Sequence, residues 1–325
     1  MLTDLLSLGE TAPADISRIL ASAAALKKDL QRRKTSRQLA GPLAGPLAGK
    51  TLVMIFEKSS TRTRLSFEIG MYQLGGQAIF LSPRDIQLGR GETIEDTARV
   101  LSRYAHAIMI RTFAHETVEA AARAADVPVI NGLSDKHHPC QVLADLMTLK
   151  EKKGRLKGLT LAYVGDGNNM AHSLLEGCAK SGVSIAVATP KGYEPDEAVV
   201  AGARKAARGT GARVLLTRDP ALAVRGAHAV YTDVWTSMGQ EDEAARRRRA
   251  FAGYRVNAAL LAAARPDAVV MHCLPAHRGE EIAADVLDGP RSVVLDQAEN
   301  RLHAQKAVLL LLMGRPPQEK TRRSR

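Results

Sequence analysis

The feature that most restricts this chain is a rhythm of short apolar runs, each stopping at turn or polar residues, with helix-length stretches between them. Thr51 to Phe56, Ala78 to Leu81, Ala107 to Arg111 and Val127 to Ile130 form a first series, separated by helical stretches near 61–74, 92–104 and 115–124. A long helix near 138–152 follows. The second series comprises Leu159 to Gly165, Ser184 to Thr189, Arg213 to Thr217, Ala229 to Asp233, Ala268 to Cys273 and Ser292 to Leu295. Apolar runs of this length suit strands buried on both faces, and their alternation with helices builds βαβ units and parallel sheets. The expected fold is α/β, with two doubly wound parallel-sheet domains joined by interdomain helices and an active site in the cleft between them. One domain would span residues 1–150 and regain the C-terminal helix and tail, 300–325; the other would span 151–299. The last helix is expected over about 300–313. An amphipathic helix is expected over 14–33, and the duplicated Gly-Pro-Leu-Ala tract at 41–49 reads as a loop, since its prolines suit neither helix nor central strand.

Length and composition agree with two ordinary domains: 325 residues, 45% hydrophobic and 25% charged. No apolar run approaches the roughly 20 residues of a membrane span, and the N-terminus lacks the pattern of a secretory signal. Three widely spaced cysteines, Cys140, Cys178 and Cys273, argue against a disulfide framework and for a reducing, cytoplasmic setting. The net charge of +12 raises the question of nucleic acid. Much of it lies in Lys27 to Arg37, Arg246 to Arg249 and Arg315 to Arg325, with no aromatic residue interleaved to stack on bases. These runs read as solvated helix faces and a tail.

The polar clusters fall where strands stop. Lys58 to Arg64 follows the first strand, and Arg111-Thr112 the third. Gly165-Asp166-Gly167-Asn168-Asn169, Asp233-Val234-Trp235 and His272-Cys273-Leu274-Pro275 do so in the second series. Ligands of open parallel sheets bind outside the carboxyl ends of strands. Ser59 or Ser60 can cap the helix that follows, turning free N–H groups toward an anion, with hydroxyls and Arg62 added. The segment lacks the glycines and lysine of a Walker loop, which excludes that kind of ATPase. Arg111, ending an apolar strand, needs an anionic or carbonyl partner.

His137-His138-Pro139-Cys140-Gln141 has no second ligand pair at structural-zinc spacing, so no metal is expected. His138, neutral or protonated, could polarise a carbonyl, with Gln141 one turn later. The glycine-rich turn at Gly165 has Met170 where a dinucleotide fingerprint places its third glycine, so no nicotinamide cofactor is expected. Asn169 suits an amino-acid carboxylate or amine, and Asp233 a substrate ammonium. Cys273 is open to three readings: core thiol, covalent nucleophile or polar contact.

Together these clusters resemble the aspartate/ornithine carbamoyltransferase family over essentially the whole chain. Phe56-Glu57-Lys58-Ser59-Ser60-Thr61-Arg62-Thr63-Arg64, Arg111-Thr112 and His138-Pro139-Cys140-Gln141 match its shared motifs. Asp233-Val234-Trp235 with Ser237-Met238-Gly239, and His272-Cys273-Leu274-Pro275, match its ornithine-type members. The resemblance implies transfer of the carbamoyl group of carbamoyl phosphate to the side-chain amine of L-ornithine, giving L-citrulline and phosphate, with neither cofactor nor metal. Residues 1–150 would bind carbamoyl phosphate and 151–299 ornithine. Ser60, Thr61, Arg62 and Thr63 would hold the phosphate, joined by Arg301. Arg111 and His138 would hold the carbonyl oxygen, and Gln141 the carbamoyl amide. Gln87 would enter a neighbouring subunit's site. Asn169, Asp233, Ser237 and Met238 would bind the α-amino and carboxylate ends of ornithine, with Cys273 and Leu274 beside the carbamoyl group and the attacking amine. A homotrimer, or an assembly of trimers with active sites shared between subunits, is implied, as is arginine biosynthesis. The rival readings are a carbamoyltransferase for another acceptor, such as aspartate, an acylated ornithine or putrescine, and a basic nucleic-acid-binding protein.

Overall fold

A computed structural model describes residues 2–36, 45–83, 85 and 91–314. The chain divides into two compact units, one of Met1–Leu143 with Arg301–Arg325, the other of Ala144–Asn300. In chain order the first part contains α1 (Pro13–Ser36), β1 (Thr51–Phe56), α2 (Thr61–Gln73), β2 (Gln77–Leu81), α3 (Ile94–Tyr104), β3 (Ala107–Arg111), α4 (His115–Ala124), β4 (Val129–Leu133) and α5 (Pro139–Lys153). Its four strands are all parallel, in the order β2-β1-β3-β4. β1 is Thr-Leu-Val-Met-Ile-Phe with its last five residues buried, as a strand covered on both faces requires. Ile55, Ile108, Ile110, Val118 and Val129 pack in one core cluster between sheet and helices. Truncating any of these isoleucines to alanine should cost about 2–5 kcal/mol.

The rest of the chain contains β5 (Thr160–Val164), α6 (Asn169–Lys180), β6 (Ser184–Ala188), α7 (Glu197–Thr210), β7 (Val214–Thr217), α8 (Pro220–Val224) and β8 (Ala229–Thr232). These are followed by α9 (Ala244–Ala250), α10 (Ala258–Ala262), β9 (Val269–His272), α11 (Ala284–Leu287) and α12 (Val294–Met313). The second sheet is parallel throughout, in the order β7-β6-β5-β8-β9. Its core joins Val164, Val230, Val270, Ile282 and Leu287. Two parallel sheets clad in helices make the α/β architecture that the strand–helix rhythm implies.

One expected strand does not form. Ser292 makes a single bridge to Val270, and the chain is already helical from Val294, so the last helix starts earlier than position 300. Val294 is buried while Leu295 is 77% exposed, and Asp296 sits in the first turn, where a carboxylate favours the helix N-terminus. The Gly289-Pro290 turn before this short apolar run suits the start of a strand or of a helix, and the helix forms. Positions 41–44 of the Gly-Pro-Leu-Ala tract, Gln87 and the basic tail from Arg315 lie outside the described residues, and 45–49 form turns, as a loop requires. Among the described residues no helix is long and apolar enough to cross a membrane.

Candidate active site

Each sheet has one place where the strand order reverses direction, and there the loops after adjacent strands diverge and leave a crevice. In the first sheet the reversal lies between β1 and β3, and in the second between β5 and β8. A side-chain hydrogen bond spans each. Arg111 Nε, at the end of β3, donates to the Lys58 carbonyl just past β1 at 3.1 Å. Asn168 Nδ2, past β5, donates to Asp233 Oδ2, just past β8, at 3.0 Å.

In the first unit, Ser60 adopts extended backbone and its Oγ accepts the Thr63 N–H at 3.2 Å, capping α2. The capped turn carries Thr61, Arg62 and Thr63 at a helix N-terminus. Arg301, on α12, is buried and donates from Nη1 to Gln141 Oε1 at 2.6 Å and from Nη2 to Thr63 Oγ1 at 3.1 Å. The structure thus brings together residues separated by 160 and 238 positions in sequence. His138 is buried among them. Burial, reinforced by the guanidiniums of Arg301, Arg111 and Arg62, holds its imidazole well below the ordinary histidine range, so the ring is neutral near neutral pH. The charges of three arginines thus act on one neutral imidazole, which makes its surroundings strongly positive. Lys58, also buried, pairs with Asp135 and lies 4.1 Å from the Phe113 ring centroid.

In the second unit, Asn168 caps α6, its Oδ1 accepting the Met170 and Ala171 N–H groups at 2.9 and 3.3 Å. Asn169 is the first residue of that helix. Asp233 is buried; its Oδ1 accepts the Val234 N–H at 2.8 Å and the Cys273 thiol at 2.9 Å. Leu274 follows with φ 58°, in the left-handed region that a residue bearing a Cβ occupies at a cost of about 1–2 kcal/mol. Ser237 and Met238 lie on the loop leaving β8, the Ser237 N–H donating to Gln240 Oε1 at 3.2 Å and Met238 being 47% exposed. The Gly165 turn packs closely on other backbone: a Cβ on Gly167 would meet the Pro195 nitrogen at 2.4 Å.

Several participants were not singled out by the sequence. Asn168 reaches Asp233. Arg247 corrects the reading of Arg246 to Arg249 as a solvated face: it is buried, donating to Asp166 Oδ2 at 2.8 Å, the Trp235 carbonyl at 3.1 Å and Glu243 Oε2 at 3.0 Å. Burial pushes the Asp166 carboxyl up to about 6, although Arg247 pulls the other way. Arg247 thereby ties the loop after β5 to the loop carrying Ser237 and Met238. Glu243 pairs with both Arg246 and Arg247, so charge spacing along the helix does not single out Arg247.

Residues 3–151 match the carbamoyl-P binding domain of aspartate/ornithine carbamoyltransferase, and residues 157–312 match its Asp/Orn binding domain. A curated relative from Bacillus subtilis, an ornithine carbamoyltransferase, is 56% identical over 310 residues, covering 95% of this chain and 93% of its own. The solved ornithine carbamoyltransferase of Pyrococcus furiosus superposes with a TM-score of 0.89 at 55% identity, covering 96% of this chain and 97% of that one. An anabolic ornithine carbamoyltransferase from Campylobacter jejuni gives a TM-score of 0.87 at 38% identity, over 96% and 99%. Fold and motifs together define a carbamoyl-group transferase. The chain belongs to the aspartate/ornithine carbamoyltransferase family.

Proposed function

We propose that this enzyme transfers the carbamoyl group of carbamoyl phosphate to the side-chain amine of L-ornithine, giving L-citrulline and phosphate. The observation that carries this reading is the buried Arg301 joining Gln141 and Thr63 at the Ser60-capped helix N-terminus, with buried His138 one turn before Gln141 and its imidazole kept neutral by burial and by Arg301, Arg111 and Arg62. That combination suits a ligand with a dianionic end and a carbonyl end. The Ser60, Thr61, Arg62 and Thr63 turn binds the phosphate, with Arg301 contributing from α12. Arg111 and His138 donate to the carbonyl oxygen, where negative charge grows in the tetrahedral intermediate. A neutral imidazole still offers an N–H for that purpose. Gln141 reads the carbamoyl amide, and Gln87 is assigned to the site of a neighbouring subunit.

Asp233 holds the α-ammonium of ornithine, supported by its buried carboxylate, while Asn169, Ser237 and Met238 complete the site for its amino-acid end. Cys273 and Leu274 lie beside the carbamoyl carbon and the attacking amine. The free amine has an ordinary pKa of about 10.4, so the site must favour its neutral form, and the leaving phosphate can take up the proton released. Attack is direct, with no covalent enzyme intermediate, and positioning of two substrates supplies much of the rate.

Synthesis rather than breakdown of citrulline, and hence arginine biosynthesis, is the proposed direction, in line with the anabolic Campylobacter jejuni relative. The proposed assembly is a homotrimer or a set of trimers sharing active sites. Leu65, Ile69 and Tyr72 on α2 and Val100 and Tyr104 on α3 are large apolar residues left exposed, the kind of surface that subunit contact covers. Three free cysteines suit a reducing cytoplasm. The test is a citrulline assay with carbamoyl phosphate and ornithine, N-acetylornithine, aspartate or putrescine as acceptor. Ornithine should be carbamoylated fastest; preference for another acceptor overturns the reading.

A further inference from the structure

We propose that Glu281, acting through His272, is a positioning residue for the acceptor end of the reaction, because it fixes the tautomer that holds the Leu274 backbone. The inference rests on the carbamoyl-transfer reading of Cys273 and Leu274. His272 ends β9 and is 1% exposed; Glu281 is 0% exposed. The backbone N–H of His272 donates to Gln297 Oε1 at 3.0 Å, and the Gln297 amide nitrogen donates to Asp145 Oδ1 at 2.7 Å. The ring is held at both nitrogens. Nδ1 accepts the Leu274 N–H at 2.8 Å, and Nε2 lies 3.2 Å from Glu281 Oε1. A nitrogen that accepts cannot also carry the proton, so the proton is on Nε2 and is donated to the carboxylate.

The carboxyl is an expensive choice for this position. Glu281 Oε1 also accepts the His277 N–H at 2.5 Å, but Oε2 has no hydrogen-bond partner, only the His277 ring at 3.9 Å. Among the described residues no lysine or arginine pairs with it. Burying a carboxyl without a cation is unfavourable unless hydrogen bonds offset it, and here the His272 Nε2–H and the His277 N–H supply them. What an apolar side chain cannot do is bind the Nε2 proton. With that proton on Nδ1 instead, two donors would face each other between the ring and Leu274. Leu274 stands at φ 58°, a conformation that persists only when its surroundings impose it. Glu281 therefore acts at one remove on the backbone next to the reacting groups.

The test compares four variants of the full chain: Glu281→Met, Glu281→Gln, His272→Leu and His272→Asn. Each is followed by ornithine kinetics, carbamoyl phosphate affinity by calorimetry and thermal midpoint, and the His272 imidazole 15N shifts are recorded for the wild type and the Glu281 variants. Glu281→Met takes away the acceptor of the His272 Nε2–H and of the His277 N–H, so it should lower the thermal midpoint of a chain that still folds, leave carbamoyl phosphate affinity unchanged, and lower kcat/KM for ornithine on the order of 10- to 100-fold, as small misplacements do. Glu281→Gln retains an acceptor and should stay near wild type. His272→Asn, whose Oδ1 can stand where Nδ1 stood, should recover most of what His272→Leu loses. The 15N shifts of the wild type should show the proton on Nε2. Wild-type ornithine kinetics in folded Glu281→Met, equal losses in the two His272 variants, or a proton on Nδ1 would overturn the positioning role. If Glu281→Met fails to fold, the His272 pair decides. A wild-type enzyme that makes no citrulline would instead refute the underlying reading.

Discussion

The Cys273 thiol donates to Asp233 Oδ1 across 2.9 Å, while the same carboxylate accepts from the Val234 N–H and from Asn168. A sulfur that donates its proton to a carboxylate is not a poised thiolate, the form in which cysteine attacks an acyl carbon. Of the three roles open to Cys273, a polar contact is the one this geometry favours. Cys273→Ala should therefore keep measurable turnover, with weaker ornithine binding and an altered pH profile of kcat/KM. Cys273→Ser, which keeps a donor, should lie between alanine and wild type. Intact-protein mass spectrometry with carbamoyl phosphate alone should show no added carbamoyl group; an adduct on Cys273 would replace direct attack with a covalent route.

Arg62 sits on the capped turn of α2 and is one of three guanidiniums that depress the His138 imidazole. Arg62→Ala should leave the fold intact and cost on the order of 3 kcal/mol of carbamoyl phosphate affinity, about a hundredfold in Kd. Calorimetric titration reads this directly. Near-normal affinity would take the turn out of the phosphate site.

Acceptor choice tests Asp233. A buried carboxylate gains from an ammonium and loses from a neutral amide placed against it. N-acetylornithine should be carbamoylated far more slowly than ornithine, and Asp233→Asn should raise the KM for ornithine more than it lowers kcat. Comparable rates with both acceptors would reassign the amino-acid end of the site.

The strand–helix rhythm made the parallel sheets legible because short apolar runs have few other uses when helical stretches separate them. It failed at Ser292 to Leu295, where Val293-Val294 resembles a strand but the exposed Leu295 and Asp296 belong to a helical turn. Strand-end clusters identified Arg62, Arg111 and Asp233 as candidates, since polar residues that interrupt buried strands need partners, while His138 stood out at the start of the connecting helix. Arg247 and Glu281 were not legible. Each is buried by tertiary packing, and a charged residue on a loop or short helix carries no mark of burial in its neighbours. Arg301 was found through resemblance, because nothing local on α12 announces that its side chain meets Thr63 and Gln141.

Stability should fall in mild acid for an identifiable reason. Burial, with His137 adding to it, lowers His115 from 6.5 to about 4, and His138 is held lower than usual by burial and three arginines. In the unfolded chain both rings take up a proton below about 6.5, whereas in the folded chain they resist it. The unfolded state therefore binds more protons in this window, so folding stability is fully present above 6.5 and is lost as pH falls toward 4. Each ring can contribute up to about 1.4 kcal/mol per pH unit there. Asp166 works the other way, since its folded value is raised from 3.8 to about 6 and the folded chain binds the extra proton. The measurement is accordingly a difference: urea midpoints at pH 7 and pH 5 for the wild type and for His115→Asn, which keeps a polar atom near Ser134 Oγ, the present partner of Nδ1 at 2.8 Å. The variant should lose less stability between the two pH values than the wild type. Parallel losses in both proteins would show that His115 is not the group being protonated.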